Sequence, residues 1–159
     1  GNHDKQTVYS LGELLINRFW NDERFEFDNE PKHFKTVRWG PNLLGMTHGT
    51  GGKRIFDAYP DRLKQEARKD WGETKYAEVH SGDKHHEFSI DQKSVTNRRL
   101  RALCPNDLWH TEEEYESTRG AQAFVFLKDR PGVETAEYYT SMLQQGMCDR
   151  DVSPKLSEV

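Results

Sequence analysis

Three of the chain's seven histidines and one carboxylate fall within Val79-His80-Ser81-Gly82-Asp83-Lys84-His85-His86, with a glycine at the bend. Imidazole and carboxylate side chains crowded onto one turn are donors that a borderline divalent cation uses. The same residues also read as a polar hairpin with solvated histidines, and the stretch alone leaves both readings open. Two other stretches carry related chemistry: Gly1-Asn2-His3-Asp4, and the glycine-rich Thr47-His48-Gly49-Thr50-Gly51-Gly52-Lys53-Arg54. Their combined donors, Asn2, His3, Asp4, His48, Asp83, His85 and His86, are nitrogen and oxygen without thiolate. Such a set suits Mn, Fe, Zn or Ni rather than a structural zinc knot.

The elements that must position these donors are strands. Leu43–Thr47 is continuously apolar, which predicts an interior strand running into His48, and Tyr76–His80 favours extended structure running into Asp83. Loops at strand ends, gathered on one edge of a sheet, are where α/β folds place ligands. Elsewhere, Ser10 and Glu13 form a capping-box pattern ahead of Leu14, Leu15 and Phe19, predicting a helix that stops near Trp20. Arg24–Asp28 alternates with period two and predicts a half-buried strand, and His33–Trp39 predicts another before the turn Gly40-Pro41-Asn42. A helix is expected over Pro60–Trp71 with proline in its first turn, and a hairpin from Glu87–Ile90 and Ser94–Leu103. Cys104–Gly120 reads as a long loop with a helical turn near Glu112–Glu116, followed by strands at Ala121–Leu127 and Val133–Tyr139. Beyond residue 140 periodicity fades, so 1–140 is expected to be domain and 141–159 a flexible tail. The fold class is α/β in the α+β sense, with sheet layers and helices outside.

Bulk composition narrows the field. The chain has 159 residues, enough for one domain, with 33% hydrophobic and 31% charged residues and a mean hydropathy of -1.01, so its four Trp, six Tyr and eight Phe must carry much of the packing. A net charge of -4 with both signs interspersed argues against wholesale wrapping by nucleic acid and leaves only a local patch for a polyanion. Cys104 and Cys148 form neither a metal-spacing pattern nor a disulfide framework, which makes a reducing cytoplasm the expected location. No apolar run reaches membrane-spanning length, so no membrane association is expected.

In order and spacing, Gly1-Asn2-His3-Asp4, Thr47-His48-Gly49 and Gly82-Asp83-Lys84-His85 resemble the last three signature motifs of the calcineurin-like metallophosphoesterases, particularly those of phages and prophages. The resemblance runs from residue 1 to about residue 128. It implies a β-sandwich flanked by helices, incomplete at its N-terminal side, and hydrolysis of phosphoesters, phosphodiesters foremost, at a site with two divalent metals. Mn is the first expectation, with Fe, Zn, Ni or Mg as alternatives. By resemblance Asn2 and His48 would ligate one metal and His85 the other. His3 would face the substrate phosphoryl group and stabilise or protonate the leaving oxygen, and Asp4 would orient His3 by accepting its other ring proton. Attack at phosphorus would be in line, with the two metals clamping phosphate and nucleophile. A nuclease-like activity on nucleic acid is suggested by the phage relatives and not by the charge.

Two departures qualify this. The opening family motifs, an Asp-x-His followed by a Gly-Asp-x-x-Asp, do not occur in that order in the 159 residues (Asp83-Lys84-His85 falls inside the last motif) and are expected ahead of Gly1, so the chain by itself is expected to be inactive. Asp83 stands where the family usually has the first histidine of Gly-His-x-His; as a metal ligand it would shift the site toward Mn or Mg, and it could equally point away. A second reading therefore stands beside the enzyme: a degenerate, non-catalytic member serving as a binding or scaffold module. Among the remaining polar residues, Lys53, Arg54, His86 and Arg99 are candidates for substrate contact. His80 reads as structural, His33 as surface, and Asn106–His110 as a wall of the cleft or a packed Trp anchor. Arg99 and Arg101, sharing one strand face opposite Arg98, would form a groove for a phosphate backbone.

Overall fold

The computed structural model describes residues 5–103 and 118–140. Its centre is a mixed five-stranded sheet, in the order β1-β2-β3-β5-β4. The strands β2 (Asn42–Thr47), β3 (Tyr76–Ser81) and β5 (Val95–Arg99) run parallel in the middle; β1 (Phe34–Trp39) and β4 (Phe88–Gln92) are antiparallel edges. Register aligns Thr47 with Ser81 and Ser81 with Arg99, so the three parallel strands end level. Whatever follows those residues is gathered on one edge of the sheet.

Strand alternation divides the side chains between two layers. Ala77 and Val79 of β3, with Leu43 of β2 and Val95 of β5, face the helices α2 (Lys53–Glu66) and α3 (Arg68–Glu73), and the core forms there with Phe34, Phe56, Tyr59 and Leu63. Glu78, His80 and Arg98 face the other way, toward a two-stranded antiparallel sheet of β6 (Gly120–Phe126) and β7 (Val133–Tyr139). That second layer is fastened by Asn42, which is fully buried: its Nδ2 donates to the carbonyls of Trp39, Leu127 and Arg130, and its Oδ1 accepts from the Gly132 amide. The two N–H donors of one amide are shared among three carbonyls while its oxygen accepts from the Gly132 amide, and three of these four contacts tie the β6–β7 hairpin to the sheet. The fold is mixed α+β, as expected from the sequence.

Several sequence expectations fail for identifiable reasons. The helix α1 (Lys5–Phe19) begins five residues before Ser10, which lies inside it; Glu13 accepts a hydrogen bond from Asn29 Nδ2 at 2.7 Å instead of closing a cap. Arg24–Asp28 forms no strand. Its alternation does place Phe25 and Phe27 on one side, but they stack on Phe19 of α1, with centroids at 4.4 and 6.5 Å, rather than in a ladder. The helix expected over 60–71 is two helices, and Pro60 lies inside α2 rather than in a first turn. A proline there has no N–H for the carbonyl four residues back, that of Phe56. Buried Asn97 of β5 supplies the missing donor, its Nδ2 lying 2.7 Å from Phe56 O. The hairpin strand expected through Leu103 ends at Arg99. The cleft wall at 106–110, the helical turn at 112–116, both cysteines and the tail at 141–159 lie outside the described residues.

The β4–β5 connection is strained. Lys93 and Ser94 both take left-handed backbone, at φ 54° and 64°, between the paired residues Gln92 and Val95. Two positive φ values suit the two-residue turn that follows strand twist, but side chains at them cost energy. Ser94→Gly is expected to raise stability by about 1 kcal/mol, read as a higher urea midpoint at unchanged slope.

Candidate metal centre

His48 and Asp83 follow directly on β2 and β3, whose ends are level, so their loops must meet. Backbone joins them first: the Gly82 amide donates to His48 O at 2.9 Å. Gly49 takes φ 101°, and a Cβ there would stand 2.7 Å from Gly82 O, so glycine permits the approach. The side chains then meet, with His48 Nε2 3.2 Å from Asp83 Oδ1. Asp83 Oδ2 lies 2.9 Å from Lys84 Nζ. Both Asp83 (φ 67°) and His85 (φ 56°) take left-handed backbone, a conformation that Asp and His tolerate better than most residues.

The electrostatics favour an ionised carboxylate. Burial pushes the Asp83 carboxyl up, but Lys84, His48 and His85 together outweigh burial and hold it below the usual aspartate value. An anionic oxygen beside an imidazole is a donor pair that a divalent cation accepts, so the residue types fit the expected metal. Among the described residues, however, no group of three or more His, Cys, Asp or Glu is arranged to hold a metal ion. Asn2, together with His3 and Asp4, lies outside the described residues.

A third strand end completes the edge. Arg99, the last residue of β5, stacks its guanidinium on Phe56, 4.7 Å from the ring centroid. Its Nη1 is 3.2 Å from Nε2 of His86. Tyr59 is buried, and its phenol is harder to ionise than usual: burial raises its pKa most, Arg99 lowers it and Asp83 raises it, so its hydroxyl feels both charges. Neither Phe56 nor Tyr59 stood out in the sequence. Their spacing with Leu63 was a usable helical signal, obscured by starting that helix at Pro60.

The other candidates fall elsewhere. Lys53 opens α2 as an exposed i,i+4 pair with Asp57 at 2.6 Å, and Arg54 is solvent-exposed. His33 is exposed, as expected. His80 is structural: its Nε2 donates to Glu78 Oε2 at 2.7 Å, and its ring meets Phe124 at 4.5 Å. The arginine groove is contradicted. Arg98 pairs with Glu78 at 2.9 Å, and Arg101 lies past the strand end, paired with Glu87 at 2.6 Å and over the ring of Tyr139. Arg101 thus sides with β7, while Arg99 sits on α2. Period two fails because the strand stops between them.

No protein-family model matches this chain, and no curated protein matches it. Among the described residues no helix is long and apolar enough to cross a membrane.

Proposed function

We propose that this chain is part of a metal-dependent phosphoesterase of the calcineurin-like type, acting on phosphodiesters. The observation that carries the reading is the meeting of the His48 and Asp83 loops at the level ends of β2 and β3. These two loops hold two of the three sequence stretches that resemble the family motifs, in the same order. The five-stranded and two-stranded layers would then belong to the metallophosphoesterase sandwich. In this reading His48, with Asn2, holds one divalent metal, and His85, with Asp83, holds the other. When bound, the metals supply Lewis-acid activation and neutralise phosphoryl charge. The chain's own side chains do the rest. His3 gives a proton to the leaving oxygen, Asp4 orients its ring, and Arg99 takes a non-bridging phosphate oxygen.

One observation favours the second reading, a non-catalytic binding or scaffold module. Asp83 spends both oxygens on protein partners, His48 and Lys84. The test uses the chain together with whatever residues its gene encodes ahead of Gly1. After dialysis against Mn, the expected result is retained metal and Mn-dependent release of nitrophenol from bis(p-nitrophenyl) phosphate. No retained metal and no turnover would establish the scaffold reading instead.

A further inference from the structure

We infer that His86 is a positioning residue which orients the Arg99 guanidinium for an anionic phosphoryl oxygen; this rests on the phosphoesterase reading of the same edge. Three arginines sit at or near the end of β5, and two are already neutralised. Arg98 faces the carboxylate of Glu78 and Arg101 that of Glu87. Arg99 has no carboxylate partner among the described residues, although it is half-buried. Its Nη1 lies 3.2 Å from His86 Nε2.

That contact fixes the chemistry of His86. A guanidinium has donors only, so Nε2 must accept and carries no proton. The proton then resides on Nδ1, and Nδ1 is 2.9 Å from the carbonyl of Lys84, which can only accept. Both ends of the ring agree on one neutral tautomer. His86 therefore steers Arg99 without cancelling its charge, where a carboxylate would have steered and cancelled it. The guanidinium also lies over the ring of Phe56, 4.7 Å from its centroid. The result is a planar fork of donors, held by an aromatic ring and an imidazole, on the sheet edge that also carries Asp83 and His48. Such a fork suits an anion with two or more oxygens, and phosphate is of that class. His86 itself, counted from the sequence as a substrate contact, acts through Arg99.

The tautomer can be read directly. Nitrogen NMR of the metal-free chain is expected to show His86 protonated at Nδ1 and bare at Nε2; the reverse would overturn the inference. Inorganic phosphate, titrated into the metal-free chain, is expected to shift the Arg99 Nε–H resonance. His86→Ala and His86→Asn should weaken phosphate binding about tenfold, the worth of a hydrogen bond to a charged group. His86→Gln, which offers an oxygen where Nε2 stood, should stay within about twofold of the wild type. Equal affinity in all three variants, or undiminished binding in Arg99→Gln, would overturn the positioning role. Neither readout uses turnover, so a chain that binds phosphate at Arg99 yet hydrolyses nothing would sink the phosphoesterase reading alone.

Discussion

Replacing Glu78 by glutamine is expected to cost about 3 kcal/mol of folding stability at neutral pH. Glu78 is fully buried, yet it is ionised. Burial raises its pKa, but hydrogen bonds from His80, Arg98 and Tyr76 outweigh burial and bring it from 4.5 to about 2. Arg98 donates twice to Oε1, at 3.1 and 2.9 Å, Tyr76 donates to the same oxygen, and His80 donates to Oε2 at 2.7 Å. The phenol is correspondingly hard to ionise, its pKa pushed up to about 12 by burial and by the carboxylate. Glutamine keeps the shape but offers one acceptor oxygen and no charge, leaving the cation of Arg98 partly buried and uncompensated. The loss should spread. His80 and Arg98 both lie against Phe124, at 4.5 and 5.6 Å, so the carboxylate also holds the surface on which β6 packs. Because the folded pKa is depressed, the contribution is fully present above about pH 4.5 and fades as pH falls toward 2. Urea unfolding from pH 7 downward should therefore show the gap between wild type and Glu78→Gln closing below pH 4.5. A gap that persists unchanged to pH 3 would mean that the loss comes from shape rather than charge.

This cluster marks the limit of what the sequence made legible. Strands were readable where alternation or a continuous apolar run met a turn signal: β2 before His48, β3 before Asp83 and the hairpin of β6 and β7 all lie within a residue or two of their expected bounds. The convergence of two histidine-bearing loops was readable for the same reason, since parallel strands that enter a sheet together end together. What failed depends on partners distant in sequence. Period two in Arg24–Asp28 is genuine, but only the fold shows that its partner is Phe19 rather than a strand. Pro60 reads as a helix start unless Asn97, far along the chain, is known to satisfy the carbonyl it strands. Glu78 between Ala77 and Val79 looks like the exposed position of a half-buried strand; its burial becomes intelligible once Arg98 of the neighbouring strand and the second sheet are placed beside it. Arg99 and Arg101 illustrate the same limit, because alternation assigns faces only while the strand lasts.

Asp83→Asn separates the two functional readings most sharply. If the carboxylate ligates, the substitution should lower Mn affinity roughly 100-fold or more, because loss of even an outer partner costs 10–100-fold. Asparagine keeps the volume and one oxygen but not the charge, so the fold should survive; the lost contact to Lys84 is partly exposed and worth little. Asp83→His, which in the phosphoesterase reading would give the Gly-His-x-His pattern of the family that the motifs resemble, should restore binding while moving preference from Mn toward Zn, as imidazole replaces a harder oxygen. His3→Asn in the same upstream-extended chain provides the contrast. If His3 acts on the leaving oxygen rather than on metal, turnover should fall roughly 10²–10⁴-fold with metal content unchanged. The two variants thus move different observables, measured by calorimetric Mn titration and by phosphodiester turnover. Unchanged Mn affinity in Asp83→Asn would show that the carboxylate serves Lys84 and the His48 loop alone, and metal lost from His3→Asn would place His3 among the ligands. Lys84 decides how readily the first outcome arises. Its ammonium lies 2.9 Å from Oδ2, and that positive charge opposes a cation binding the same carboxylate. Lys84→Met should therefore raise Mn affinity if Asp83 ligates and leave it unchanged if Asp83 only braces the loop.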